Sequence, residues 1–147
     1  MKRALLLAPI MLMVAACAQQ PPPPPAPAPM PMAAPHAPMN TYIVFFDWNS
    51  SRIGPAGMQV LQRAAAAYRA GHPVHVSVVG YTDRSGSARY NSRLSKHRAW
   101  RAAWALQHLG VPRTAMTVQG RGENDNRVPT ANGVREPQNR RVEIHEG

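Results

Sequence analysis

The sequence predicts one α/β domain, a two-layer sandwich of βαβαβ type with a mixed sheet and its helices packed on one face. Two observations support this fold class. β-branched, apolar segments alternate with two long stretches of helical periodicity, and each helical stretch ends at a glycine. Once the proline-rich beginning is set aside, about 105 residues remain, which is an ordinary size for one hydrophobic core. Strands that alternate with helices form layered sandwiches of this kind.

The predicted elements alternate along the chain. They are, in order, a strand at 41–47, a helix from Pro55 to Gly71, a strand at 74–79, a helix from about Ala88 to Leu109, a strand around Met116 and Val118, and a last strand at 141–145. The first strand is nearly continuous in apolar character, so burial on both faces or against a helix is expected. Residues 120–138 are polar and glycine-rich, which indicates a surface loop or a broken helix.

The second helix combines an apolar stripe with a charged residue. Leu94, Ala102 and Leu106 recur at helical spacing, and Arg98 lies within the same arc. Arg98 is therefore not expected to point simply into solvent. Trp100 and Trp104 lie away from this stripe, where they are either covered by the first helix or the linker, or form a contact patch for another protein.

The first forty residues contain processing and spacer signals. Residues 1–16 begin with two basic residues and continue with an apolar run, as secretory signal peptides do. The only cysteine, Cys17, follows Val-Ala-Ala, which resembles the bacterial lipobox and implies a lipid-modified first residue of the mature protein. A plain signal peptide cut near Ala18 is the alternative. Residues 17–40 then form a Pro/Ala-rich tether, in which the twenty positions 19–38 would reach roughly 60 Å at 3.1 Å per residue.

Charge and composition narrow the classes of partner. The formal charge is +10, and loss of Lys2 and Arg3 with a signal peptide leaves +8, which favours anionic partners without choosing among them. A single cysteine excludes an internal disulfide or a multi-thiolate metal site. The six histidines lack zinc-ligand spacing, so neither a metal nor a cofactor is expected. No nucleophile, base and oxyanion motif occur together, so no enzyme is expected.

The segment 80–99 has the clearest functional pattern. One acid, Asp83, follows the second strand, and five basic side chains come after it, at Arg84, Arg89, Arg93, Lys96 and Arg98. A carboxylate and a guanidinium in one site can hold a ligand that has both an ammonium and a carboxylate group. The alternatives are a turn or capping role for Asp83 and an exposed ion pair for Arg98, usually worth under about 1 kcal/mol.

A family resemblance covers roughly residues 42–146. Its motif is matched by Thr82-Asp83, Gly86-Ser87, Tyr90-Asn91, Leu94-Ser95, Arg98-Ala99 and the later run 139–143. These residues are similar to the C-terminal domain of OmpA, MotB and Pal, which binds peptidoglycan non-covalently. The resemblance implies that Asp83 receives the ammonium of meso-diaminopimelate, that Arg98 holds its carboxylate, and that Thr82 and Asn91 support the pocket. Neither Asp83 nor Arg98 is expected to build the core, so alanine at either should leave circular dichroism unchanged.

The whole chain is then expected to be a Pal-like lipoprotein of the cell outer membrane. Residues 41–147 would form the OmpA-like domain, facing the periplasm and linking membrane to wall. A wall-anchored subunit of a Tol-Pal-like or secretion machine, with a periplasmic protein partner, stays open as an alternative. A polyanion-binding basic domain is a further one, although export argues against nucleic acid as the partner.

Overall fold

The computed structural model describes residues 40–71 and 75–147. The predicted signal peptide 1–16, Cys17, nearly all of the tether and Val74 lie outside this part. Within it, the elements are β1 (Asn40–Phe45), α1 (Pro55–Gly71), β2 (Val76–Gly80), α2 (Ala88–His108), β3 (Met116–Gly120) and β4 (Arg141–Glu146), with short 3-10 helices at Arg113–Ala115 and Pro137–Asn139. The predicted alternation of strands and helices is confirmed. No helix in the described residues is long and apolar enough to cross a membrane.

The four strands form one mixed sheet in the order β1-β4-β2-β3. The last strand lies inside the sheet, antiparallel to both β1 and β2, whereas β2 and β3 are parallel. The chain therefore returns to the middle of the sheet at its end. This pairing brings the start of β4 beside the ends of β1 and β2. Two backbone hydrogen bonds join them there, from Phe46 N to Arg140 O and from Tyr81 N to Arg141 O.

The core lies between one face of the sheet and the two helices. Register places Val44 opposite Val142 and Val78 opposite Ile144, and all four are fully buried. From the helices, the buried apolar residues include Leu61, Ala64, Ala65, Ala99, Ala102 and Leu106. Of the two alternatives for β1, burial of one face against a helix is the one found, because Val44 is buried in the core and Phe45, on the other face, is half exposed. Apolar character alone cannot separate a strand with one buried face from a strand with two.

Local signals explain where α2 begins and ends. Ser87 is its N-cap, and the Ser87 side chain accepts a hydrogen bond from Tyr90 N. After His108 and the capping Leu109, Gly110 adopts a φ of 98°, a left-handed conformation that glycine adopts without steric cost. Residues 121–136 form turns without a regular helix, so of the two alternatives the surface loop is the one found.

Two glycines let α2 lie close to the strands. A β-carbon at Gly80 would lie 2.0 Å from Ser95 O, and one at Gly120 would lie 2.4 Å from Lys96 N. Both neighbours are backbone atoms of α2, which cannot move aside like a side chain. Glycine at these positions therefore fixes the distance between the helix and the ends of β2 and β3, next to the segment that contains Asp83.

We expect Gly80→Ala to lower the free energy of unfolding by about 1–3 kcal/mol or more, because the added methyl group forces the helix away from the sheet. Gly54→Ala is the matched control, since nothing lies within 4 Å of a β-carbon there. Urea denaturation of both variants is the measurement. Equal stability of the two variants would show that the close contact is not a constraint.

Candidate functional site

A small cleft lies where the ends of β1 and β2, the start of α2 and the start of β4 meet. Its lining residues are Trp48, Asn49, Asp83, Ser85, Gly86, Tyr90, Asn91, Leu94, Arg98 and Arg140. The free volume is about 50 Å³. A sphere of the size of one water occupies roughly 10–15 Å³, so the cleft has room for a group of a few heavy atoms rather than for a sugar ring or a whole peptide.

Asp83 is a buried carboxylate within a dense set of donors. Only 3% of its surface is exposed. Its Oδ1 accepts from Ser85 Oγ at 2.6 Å and Ser85 N at 3.3 Å, and its Oδ2 accepts from Glu136 N at 3.3 Å and Arg140 Nη1 at 3.2 Å. The two hydrogen bonds to Ser85 close a turn, so the turn role that was the alternative for Asp83 is present in the structure. Oδ2 has no contact shorter than 3.2 Å, so it is the more weakly hydrogen-bonded of the two oxygens.

The hydrogen bonds determine the ionisation of Asp83. Burial by itself would raise the pKa of this carboxyl, but the bonds from Ser85, from the Arg140 guanidinium and from two backbone amides outweigh burial and lower the pKa. The folded state thus favours the ionised carboxylate. At neutral pH the cleft contains an ionised carboxylate, which pairs with Arg140 in this structure.

This lowered pKa predicts a pH dependence of stability. A carboxyl group whose pKa is lower in the folded state stabilises the fold above its unfolded pKa, and loses that contribution as the pH falls through the folded pKa. We therefore expect Asp83→Asn to flatten the loss of stability below about pH 4. Thermal melts of both proteins between neutral pH and about pH 2 measure it. Parallel pH profiles would contradict the assigned hydrogen bonds.

Arg98 is fully buried and fixed by the backbone. Its Nε, Nη1 and Nη2 donate to Ser50 O, Tyr81 O and Asp47 O at 2.8, 3.0 and 3.0 Å. Burial lowers the pKa of Arg98 to about 10, and the nearby Asp83 charge opposes this shift. The prediction that Arg98 does not point to solvent is confirmed, and the alternative of an exposed ion pair is excluded.

One expectation about Arg98 was wrong. It is the largest fully buried side chain among the described residues, and its bonds join the loop after β1 to the end of β2. Arg98 is thus part of the structure that shapes the cleft, and its removal cannot leave the fold untouched. Three of its five N–H groups are used in this way, and the guanidinium still lines the cleft.

Arg140 is the residue that the sequence analysis did not place in the site. Its Nη1 pairs with Asp83 and its Nε donates to Phe46 O at 3.1 Å. The Asn-Arg-Arg run was visible in the sequence, but only the insertion of β4 between β1 and β2 brings Arg140 to a residue 57 positions earlier. In contrast, the preceding Asn139 bonds both backbone groups of Val128 and is structural.

The two supporting residues have different positions. Asn91 lines the cleft, and its Nδ2 donates to Gly86 O at 3.3 Å and to Glu123 Oε2 at 2.6 Å. Thr82 is buried beside the cleft but is absent from its lining, and its N–H donates to Gly122 O at 2.7 Å. Among the described residues, the Thr82 hydroxyl has no hydrogen-bond partner. Asn91 therefore links the cleft to the loop after β3, and Thr82 supports the strand end below it.

The tryptophan pair lies outside the cleft. Trp100 is 45% exposed and Trp104 is 58% exposed. The prediction that α1 covers the pair is therefore wrong. Coverage by the linker concerns residues outside the described part. The guanidinium of Arg113 lies 4.7 Å from the centre of the Trp100 ring.

Solved structures share this architecture. The peptidoglycan-associated lipoprotein from Burkholderia pseudomallei matches with a TM-score of 0.66 and 26% identity, over 71% of this chain and 90% of that one. The OmpA-like domain of FopA1 from Francisella tularensis subsp. tularensis SCHU S4 matches with a TM-score of 0.67 and 22% identity, over 73% of this chain and 71% of that one. The second match shows the fold alone. Both support the mixed sheet with two helices as an OmpA-like domain.

Curated proteins give closer sequence matches. An outer membrane protein of Gluconacetobacter diazotrophicus is 42% identical over 73% of this chain and 30% of its own length. The probable lipoprotein YiaD of Escherichia coli (strain K12) is 37% identical over 69% of this chain and 46% of its own length. This chain thus spans less than half of either relative. The OmpA family model matches residues 45–140, a range that contains the cleft. The chain belongs to the OmpA family.

Proposed function

We propose that this domain binds peptidoglycan non-covalently by holding the diaminopimelate side chain of a stem peptide in the cleft. The end of that side chain has an ammonium and a carboxylate on one carbon, so it presents two opposite charges within a volume of a few heavy atoms. The observation that carries the proposal is that a buried carboxylate, Asp83, and a buried guanidinium, Arg98, line the same cleft of about 50 Å³.

The charges of the cleft match those of the ligand. The ammonium group would replace Arg140 at Asp83 Oδ2, the oxygen with the longer contacts. The ligand carboxylate would then face Arg98 and the released Arg140, both of which line the cleft. Charge-assisted hydrogen bonds each contribute about 1.5–3 kcal/mol, and burial excludes the water that would otherwise compete.

The matches to the B. pseudomallei peptidoglycan-associated lipoprotein and to outer membrane proteins support wall binding in the periplasm. The finer location is also a proposal. The chain would be attached to the outer membrane through a lipid on Cys17 and would reach the wall across the tether. The match to the probable lipoprotein YiaD supports this attachment. A periplasmic protein partner stays a prediction.

Co-sedimentation with purified sacculi tests the proposed function. We expect the protein to pellet with diaminopimelate-type sacculi and to stay in the supernatant when an amidase has removed the stem peptides. Asp125→Asn, an exposed acid of the loop after β3, should bind as the unchanged protein does. Equal binding to intact and peptide-free sacculi would refute recognition of the stem peptide.

The attachment has its own test. Cys17→Ser removes the thiol that would be lipidated while changing one atom of the side chain. We expect the variant to accumulate as an unacylated precursor and to be lost from the outer membrane fraction, because the acyl chains that would anchor it are absent. Mass spectrometry and fractionation after a high-salt wash measure both effects. A variant that stays with the outer membrane would overturn the lipobox interpretation.

A further inference from the structure

The side of α2 that faces away from the sheet has an unusual surface. An open groove of about 380 Å³ is lined by His97, Trp100, Arg101 and Trp104. The rings of Trp104 and His108 lie 4.0 Å apart and are tilted by 44°. Large indole rings held in place by neighbours are binding surfaces, because they offer flat apolar area at a low cost in side-chain entropy.

The groove and the cleft are separate, but residues of both lie on one face of α2. Tyr90, which lines the cleft, is followed by His97, Arg101 and Trp104 at intervals of seven, four and three residues, which places all four on one helix face. All four are exposed. A ligand anchored in the cleft would therefore reach the tryptophans along an exposed face of α2.

We infer that the Trp100–Trp104 groove is a subsite for the sugar rings of the same peptidoglycan molecule. The inference rests on the proposed function. Indole faces stack on the C–H bonds of a pyranose, and the polar rim formed by His97 and Arg101 suits a hydrated, hydroxyl-bearing ligand better than an apolar protein surface.

The distances agree with one ligand that spans both places. Trp100 and Trp104 lie six and ten residues beyond Leu94 of the cleft, or about 9 and 15 Å along the helix axis. Two residues separate diaminopimelate from the lactyl group of the sugar, and in extended form they span about 7 Å. The diaminopimelate side chain and the glutamyl linkage lengthen this path to the range of the groove.

Charge supports the same occupant. The 21 residues of α2 include no Asp or Glu, and four exposed residues of the helix are Arg or Lys. The stem peptide has free carboxylates between its two ends, so it would run along a surface of opposite charge. A protein-contact patch was one of the two alternatives for the tryptophans, and the combination of spacing, polarity and charge favours the glycan over it.

Calorimetric titration of the full chain with two soluble ligands tests this inference. The ligands are the free stem tripeptide that contains diaminopimelate and the same tripeptide attached to its disaccharide. We expect the unchanged protein to bind the disaccharide form about tenfold more tightly, and Trp100→Ala/Trp104→Ala to bind both ligands equally, with the tripeptide affinity retained. Trp100→Phe/Trp104→Phe should restore part of the preference, and Phe45→Ala, another exposed aromatic position, should change nothing.

Each other outcome overturns the inference in a distinct way. If the unchanged protein binds both ligands equally, or the double alanine variant keeps the preference, the groove is not a sugar subsite. The proposed binding of diaminopimelate in the cleft is not affected by that outcome. If the double alanine variant loses binding to phosphatidylglycerol vesicles and keeps the ligand preference, the groove is a lipid contact. If it loses a dimer that the unchanged protein forms in sedimentation, the groove is a contact between two copies of the chain. If the unchanged protein binds neither ligand, the proposed function fails as well.

Discussion

Arg98→Ala is expected to lower the free energy of unfolding by about 3–5 kcal/mol, which is a large part of the stability of one domain. The substitution leaves the carbonyls of Asp47, Ser50 and Tyr81 without their donors and opens a cavity where the largest fully buried side chain of the described residues lies. Arg98→Lys should also be destabilising, because a single ammonium cannot replace a planar group that donates in three directions. Chemical denaturation measures the change.

Arg101→Ala is the matched control for this loss. Arg101 lies one turn further along α2, is exposed, and should change stability by no more than about 0.5 kcal/mol. If Arg98→Ala and Arg101→Ala unfold at the same denaturant concentration, Arg98 does not fix the loop after β1. Any loss of ligand binding in Arg98→Ala is interpretable only at temperatures where the variant is still folded.

Asp83→Asn is expected to weaken binding to diaminopimelate-type sacculi by at least about 100-fold, equivalent to about 2.7 kcal/mol. The amide keeps the size of the side chain and can still accept from Ser85, but it has no charge for an ammonium group. Some loss of stability at neutral pH is also expected, because the ionised carboxylate stabilises the fold, so binding is compared at a temperature where both proteins are folded. Sedimentation with sacculi at several protein concentrations gives the affinity.

The control for the acid is Asp125→Asn, which removes one negative charge from an exposed ion pair with Arg121. It separates loss of a specific contact from a change in net charge. Binding of Asp83→Asn within about twofold of Asp125→Asn would show that wall binding depends on charge alone. That outcome would favour a polyanion-binding basic domain.

The order of strands and helices was predictable because local signals mark it. Pro55 begins α1 as predicted, and the alternation that places Val142 and Ile144 in the core is visible in the last strand. The order of the strands within the sheet was harder to predict from the sequence. Nothing local in residues 141–146 shows that they lie between β1 and β2, since strand pairing is decided by packing across the whole domain.

The candidate site was accessible only in part for the same reason. Asp83 and Arg98 share a loop and the helix that follows it, so their motif predicted that both line one site. Arg140 comes from the far end of the chain, and its pairing with Asp83 follows from strand order. The structural role of Arg98 was also missed, because helical periodicity places a residue on a face but does not show which carbonyls meet it there.

The most direct test of the account compares two tripeptides that differ in one group. The natural stem tripeptide contains meso-diaminopimelate, and its partner contains lysine, which keeps the ammonium but lacks the second carboxylate. We expect calorimetric titration to give an affinity at least about tenfold higher for the diaminopimelate form, because only this ligand offers a carboxylate to the cleft guanidinium groups. Asp83→Asn should weaken binding of both tripeptides, because both carry the ammonium group that Asp83 is proposed to hold. Equal affinity of the folded, unchanged protein for the two tripeptides would contradict recognition of a zwitterionic group in the cleft.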